Sequence, residues 1–152
     1  MSEQDRQAAT VIRRAERSDV PEIMSLQQQS ESAARWSSTE YERLISEARE
    51  SFLVADEGGI LGFLAATGTG EEWELENLVV EEGSRRKGLA KMLVERFLAD
   101  ARTQGARTVS LHVRHENVGA RTLYEKSGFR VAGCRKGYYR DADAIIYVLD
   151  FT

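Results

Sequence analysis

A chain of 152 residues, 41% hydrophobic and 30% charged, is long enough for one full core and is composed like an ordinary globular protein, so residues 1–152 read as a single domain. One proline and twelve glycines exclude a long disordered linker, and a formal net charge of −4 gives no reason to expect broad nucleic-acid binding. The lone cysteine, Cys134, excludes an intrachain disulfide and agrees with a reducing cytoplasm; Met1 to Ala9 lacks an apolar signal core, and no apolar run approaches the roughly 20 residues of a transmembrane helix.

Thr10 to Ala15, with Val11 and Ile12, is the first predicted strand. Ser18 and Asp19 then offer N-caps, and Pro21 falls in a first helical turn, where its missing N–H costs little. Val20, Ile23, Met24 and Leu26 give that helix an apolar side, and it ends near Ser30. Trp36 to Glu40 opens a second helix. Ser37 and Glu40 have capping-box spacing, and Tyr41, Leu44, Ile45 and Ala48 follow at helical intervals. Ser51 to Asp56 and Ile60 to Thr67 are strands joined by a Gly58-Gly59 hairpin turn. Trp73 to Val80 is the next strand and runs into a basic loop. The long helix after the loop, beginning near Arg86, places Leu89, Leu93, Phe97 and Ala101 on one side and stops at Gly105, which suits a left-handed cap. Thr108 to Val113 is a strand. Asn117 caps a further helix carrying Ala120, Leu123 and Tyr124, which Ser127-Gly128 ends. Phe129 to Cys134 and Ala144 to Asp150 are the last strands. The order β-α-α-β-β-β-α-β-α-β-β is a mixed α+β pattern without internal repeats.

The basic loop carries the clearest chemistry. Gly88 lets a backbone approach a ligand closely, and the helix that follows begins with unpaired N–H groups and a positive dipole end. Arg85, Arg86, Lys87 and Lys91 surround that end, so the loop reads as the holder of a nucleotide-like cofactor's pyrophosphate, with a plain strand–helix connection as the bland alternative. The spacing is neither a Walker loop nor the dinucleotide Gly-x-Gly-x-x-Gly. Glu71, Glu72, Glu74, Glu76, Glu81 and Glu82 crowd beside it, either as solvated surface or as an attraction for a cationic substrate.

Downstream, Asn117 and Tyr124 stand about two helical turns apart and share a face. Singly they read as an N-cap and a core aromatic. Strand alternation puts Leu111 and Val113 on one face and Ser110, His112 and Arg114 on the other. His115 points away from His112, so no metal site is predicted.

Together these stretches closely resemble the GNAT acyltransferases, and within them the bacterial ribosomal-protein-alanine N-acetyltransferases. The matching text is Leu75-Glu76-Asn77-Leu78-Val79-Val80, Arg85-Arg86-Lys87-Gly88-Leu89-Ala90, Leu111-His112-Val113-Arg114 with Asn117, Leu123 to Phe129, Arg135 to Tyr139, and Asp143 to Ile146. Trp36-Ser37 resembles a motif of the family's substrate loop. The resemblance implies a GNAT fold: a mixed sheet of about seven strands with a splayed pair, and about four helices. It implies acetyl-CoA as cofactor and acetyl transfer to an amine by direct attack in a ternary complex, without a covalent intermediate. Leu78, Val79 and Val80 would meet the pantetheine, and an N–H there would polarise the thioester carbonyl. Arg86 to Lys91, including Leu89 and Ala90, would cradle the pyrophosphate. Asn117 would hold the pantetheine, and Tyr124 would protonate the departing thiolate. Trp36, Tyr138 and Tyr139 would line the acceptor slot.

Three positions depart from the family pattern. Ala90 replaces the loop's second glycine, Gly137 replaces an asparagine before the paired tyrosines, and His112 stands where the ribosomal enzymes carry a glutamate. His112 is the predicted base, with an acid limb near pH 6–7, and Glu76 is its rival. The expected acceptor is a protein α-amine, a ribosomal protein among the options. About a tenth to a fifth of such amines are neutral at pH 7, against about one lysine in a few thousand. A small amine is the alternative acceptor, and a non-catalytic acyl-CoA-binding module is a third reading, against which the intact Tyr124 speaks.

Overall fold

The computed structural model describes residues 10–31, 33–48 and 51–151. Among them are β1 (Val11–Arg14), α1 (Val20–Gln29), α2 (Ser38–Ala48), β2 (Phe52–Asp56), β3 (Ile60–Thr69), β4 (Glu72–Val80), α3 (Leu89–Thr103), β5 (Thr108–Arg114), α4 (Val118–Lys126), β6 (Arg130–Tyr139) and β7 (Ala142–Asp150). The strands form one seven-stranded sheet in the order β1-β2-β3-β4-β5-β7-β6, antiparallel except for the β4–β5 pair. With helices packed on both faces this is the predicted GNAT architecture.

Strand alternation divides the core in two. Leu53, Leu64, Leu75 and Leu111 meet Leu93, Phe97 and Tyr124 of α3 and α4. Phe52, Val54, Phe63 and Val79 meet Ile23 of α1 and Tyr41 of α2 on the other face. β2 is therefore buried on both sides, which is why its sequence is a continuous apolar run.

Two caps follow the sequence, whereas Asp19, at the N-cap position of α1, turns its carboxylate to Arg13 and the Glu16 N–H and makes no side-chain cap. Ser37 Oγ accepts the Glu40 N–H at 3.1 Å while Glu40 Oε1 accepts the Ser37 N–H at 3.1 Å, the predicted capping box. Gly105, with φ +94°, ends α3: its N–H reaches Arg102 O at 3.1 Å and the Ala106 N–H reaches Ala101 O at 3.0 Å.

Several boundaries differ from expectation. The helix after the basic loop starts at Leu89 rather than near Arg86, because Glu82–Lys87 winds as a 3₁₀ turn and Gly88 breaks it at φ +76°. β3 runs on to Thr69. β6 continues from Cys134 through Arg135-Lys136-Gly137 to Tyr139, a stretch read as loop. As an edge strand exposed along most of its length, it shows no apolar alternation in that half.

Two irregularities shape the centre of the sheet. β4 and β5 pair only from Glu72↔Thr108 to Leu75↔Leu111, after which β4 stays with β3 and β5 with β7. This is the expected splayed pair. On the other side of β4, Ala66 pairs with Leu75 but Ala65 pairs with Asn77, so Glu76 is an extra residue, a β-bulge. The bulge turns Glu76 and Asn77 toward the same face, where Glu76 meets Thr67 and Asn77 meets Tyr41.

Candidate active site

Two cavities open at the splay. One, of about 320 Å³, lies over Glu76, His112 and Tyr139. The other, of about 460 Å³, runs along Val79, Val80, Gly88 and Lys91. They share Leu78, Asn117, Ala120 and Tyr124 as a common wall. The sequence-predicted cofactor residues thus fall largely in one groove, and the candidate base and acid stand where the two cavities meet.

The longer groove suits an extended, anionic ligand. Beyond Leu75, β4 loses its β5 neighbour, so residues 77–80 pair with β3 on one edge and keep the other open, save that Arg85 Nε donates to Val80 O at 3.3 Å. At the far end α3 begins without an acidic residue in its first turn and without a side-chain cap. The amides of its first turn have no intrahelical acceptor. A Cβ built on Gly88 would touch no protein atom within 4 Å, so the space before these amides is open. Arg85, Ala90 and Lys91 line the groove as expected. Leu89 does not: its side chain is 1% exposed in the core, which leaves its N–H as the contribution it can make. The side chains of Arg86 and Lys87 lie outside the described residues.

Asn117 has two uses. Its Oδ1 accepts the Ala120 N–H at 3.2 Å as the predicted N-cap, and the side chain also borders both cavities. The cap reading and the ligand reading are therefore compatible. Tyr124 lies one helical face along. The turn that ends α4 fixes it: the Phe129 N–H donates to Tyr124 O at 3.0 Å and the Gly128 N–H to Glu125 O at 3.2 Å. The Phe129 ring packs edge-on to Tyr124 at 5.7 Å. Burial, reinforced by Tyr139, pushes the Tyr124 phenol well above its ordinary 10, so it carries its proton throughout the physiological range.

Glu76 and His112 are the first residues past the last β4–β5 ladder pair, one on each diverging strand. Burial pushes the Glu76 carboxyl above 4.5, with Glu74 adding to the rise, against a 2.8 Å hydrogen bond from Thr67 Oγ1. Burial and then Arg135 pull the His112 ring below 6.5, against the pull of Glu76. Its Nε2 is buried with no hydrogen-bond partner, and its ring stacks on Tyr138 at 4.7 Å. Tyr138 is 49% exposed and covers His112 from the solvent side. Tyr139 lines the cavity with Arg114 over its ring at 4.5 Å, and Asp141 holds that guanidinium at 2.8 Å.

Trp36 stands elsewhere. Its ring stacks on Tyr41 at 5.5 Å, and Ala33, Ala34 and Arg35 beside it form the cavity wall instead. Sequence reading missed these three, together with Asn77 and Gln27, whose hydrogen bonds fix Ala34 and Arg35. A buried polar pair 50 positions apart leaves no periodic signal, and Gln27 stands in a run of three glutamines that reads as surface. Among the described residues no group of three or more His, Cys, Asp or Glu could hold a metal ion.

The sheet splay, the open strand edge and the uncapped helix start together leave a groove shaped for an extended ligand with an anionic end. Residues 17–129 match the model of the Acetyltransferase (GNAT) family, and the chain belongs to that family: it is an acetyl-CoA-dependent N-acetyltransferase. Over 86 residues it is 38% identical to the ribosomal protein bS18-alanine N-acetyltransferase of Salmonella typhimurium, spanning 54% of this chain and 58% of that protein. The Escherichia coli enzyme of the same name is 29% identical over 141 residues, 90% of this chain and 95% of that protein. Among solved structures, Ard1 from Thermoplasma volcanium superposes with a TM-score of 0.87 at 27% identity, covering 95% of this chain and 99% of that one. The Escherichia coli ribosomal-protein-S18-alanine N-acetyltransferase gives 0.80 at 27% identity, with 94% of each chain covered.

Proposed function

We propose that residues 1–152 act as one domain that acetylates the α-amine of a protein N-terminus by direct attack within a ternary complex. The observation that carries this reading is the junction of the two cavities, where a proton donor and two basic groups surround the strand splay. The names of the bS18-alanine relatives support the acceptor class, and a ribosomal protein N-terminus is the first acceptor to try.

Bound acetyl-CoA supplies the acetyl group and a thiolate leaving group. The open edge of β4 at Leu78 to Val80 pairs with the pantetheine, and an N–H there stabilises charge on the thioester oxygen. The first-turn amides of α3, with Arg85 and Lys91, hold the pyrophosphate. Asn117 steadies the pantetheine. Glu76 or His112 takes the proton that the ammonium must lose, so that the amine lone pair can attack the carbonyl carbon. As the carbon–sulfur bond breaks, the Tyr124 hydroxyl hands its proton to sulfur; the second proton, shed by the new amide nitrogen, restores the phenol, and the base releases the ammonium's proton to solvent. Tyr138 and Tyr139 flank the entering chain, and Trp36 acts behind the wall through its stack on Tyr41. A cytoplasmic setting suits this reading, since the exposed Cys134 thiol is free.

The test is mass spectrometry of acetyl-CoA reactions with three acceptors: peptides with a free α-amine, the same peptides blocked at the N-terminus but bearing lysines, and small amines. Acetylation of the first alone is expected. Modification of small amines or lysines only would overturn the acceptor class, and acetyl-CoA binding without transfer to any acceptor would make the chain a binding module.

A further inference from the structure

We propose that Asn77 and Gln27 are positioning residues of the acceptor cavity, holding the segment 34–36 as an extended edge in its wall. The proposal rests on reading that cavity as the acceptor site. Asn77 Nδ2 donates to Ala34 O at 3.2 Å and Asn77 Oδ1 accepts the Ala34 N–H at 3.2 Å. Gln27 treats Trp36 the same way: Nε2 donates to Trp36 O at 2.8 Å and Oε1 accepts the Trp36 N–H at 3.2 Å. Ala34 and Trp36 are two residues apart, the interval at which an extended chain presents its N–H and C=O to the same edge. A carboxamide carries the same donor and acceptor as a peptide group. Two side chains therefore stand in for a neighbouring strand where no strand exists.

The device is closed and buried. Gln27 is 3% exposed, Asn77 4% and Tyr41 0%. The Tyr41 hydroxyl links the two amides, donating to Gln27 Oε1 and accepting from Asn77 Nδ2 at 2.9 Å. Reversing the Asn77 amide would set its NH₂ against the Ala34 N–H, so one orientation satisfies the network. Between the two clamped residues, Arg35 folds back to donate to Gln27 O at 2.6 Å and Ser30 O at 3.0 Å. All three consecutive residues are thus anchored, and Ala34 and Arg35 border the cavity.

The bulge connects this wall to the chemistry. Because Glu76 and Asn77 turn to the same face, one two-residue feature sets both a candidate base and the wall opposite it. Loosening the Asn77 clamp should therefore disturb acceptor binding while leaving the cofactor groove, which lies beyond Leu78 and Tyr124, unchanged.

The experiment compares wild type with Asn77→Leu, Gln27→Leu and the double variant, using hydrogen exchange, acetyl-CoA calorimetry and steady-state kinetics. In wild type the Ala34 and Trp36 amides should be protected, and in the variants they should exchange at least about tenfold faster. The acceptor KM should rise about tenfold or more, with kcat changed far less and acetyl-CoA affinity unchanged. The double variant should be no worse than the sum of the singles, because both belong to one network. Asn77→Asp keeps the acceptor for the Ala34 N–H and loses both donors; it should fall between wild type and Asn77→Leu, and it replaces Asn77→Leu if that variant does not fold. Unprotected amides in wild type would remove the clamp. Faster exchange with an unchanged acceptor KM would leave it a purely architectural contact and overturn the proposal. If wild type acetylates a small amine and no peptide, the acceptor class above fails, while the same KM comparison with that amine still decides the role of the clamp.

Discussion

Burial and then Arg135 pull the His112 pKa below 6.5, which favours the neutral ring at pH 7. Glu76 moves the other way, up from 4.5, so the two candidate bases approach each other from opposite sides. The sign follows directly: kcat/KM should rise with pH as the base loses its proton, through an apparent pKa shifted below that of an ordinary histidine if His112 is the base, or above that of an ordinary glutamate if Glu76 is. The position of the limb cannot name the residue, but substitution can. His112→Ala should abolish the limb if His112 is the base, and Glu76→Gln should do so if Glu76 is. Profiles taken with two acceptors of different amine pKa keep the substrate's own titration apart, and a limb that follows the acceptor would exclude both side chains. Tyr124→Phe preserves the ring that packs on Phe129 and removes one proton. It should lower kcat about 10²–10⁴-fold with acetyl-CoA affinity and melting temperature little changed. Wild-type turnover in that variant would leave Tyr124 a packing residue.

Gly88 belongs to the scale of elements, because it ends one turn and starts another. At φ +76° it occupies the left-handed region, so Gly88→Val costs about 1–2 kcal/mol of backbone strain as well as any lost ligand space. Gly88→Asn separates the two effects, since asparagine tolerates this conformation and its Cβ meets no protein atom within 4 Å. Calorimetry should show weaker acetyl-CoA binding for the asparagine variant at nearly unchanged melting temperature; unchanged affinity would move the pyrophosphate elsewhere. Most elements were legible because each carried a local signal: Ser37 with Glu40, Gly105 and Asn117 mark ends by chemistry that acts within a turn. The second half of β6 was not legible. Arg135-Lys136-Gly137 pairs through backbone on an exposed edge, and an edge strand needs no apolar face. Arg85, Gly88, Ala90 and Lys91 of the groove could be read in sequence, whereas the inward turn of Leu89 depended on where the helix begins.

For the whole molecule, one guanidinium joins three parts of the chain. Arg13 on β1 donates to both Asp19 oxygens at 2.8 and 2.9 Å and to Asp56 at 3.1 Å, tying β1 to the turn before α1 and to the end of β2. Burial is the largest influence on Asp19 and raises its pKa, but Arg13 and the Glu16 N–H together outweigh it and hold the group below 3.8. A folded-state pKa below the unfolded one means the contribution is full above about pH 4 and is lost as pH falls through the folded value. Asp19→Asn should cost about 1–3 kcal/mol at neutral pH, and its deficit relative to wild type should shrink in acid. A deficit independent of pH would locate the loss elsewhere. Such long-range ties were invisible in sequence because Arg13, Asp19 and Asp56 share no motif; only the fold brings them together. The bulge in β4 is the converse case. Glu76 is one residue more than the ladder uses: without it Leu75 would still meet Ala66, Asn77 would still meet Ala65, and each would keep its face. Deletion of that single residue should leave the sheet folded while removing a candidate base, and melting and acetylation assays of the deletion variant check both. If Glu76 proves to be the base, the bulge is a residue that the reaction needs and the sheet does not.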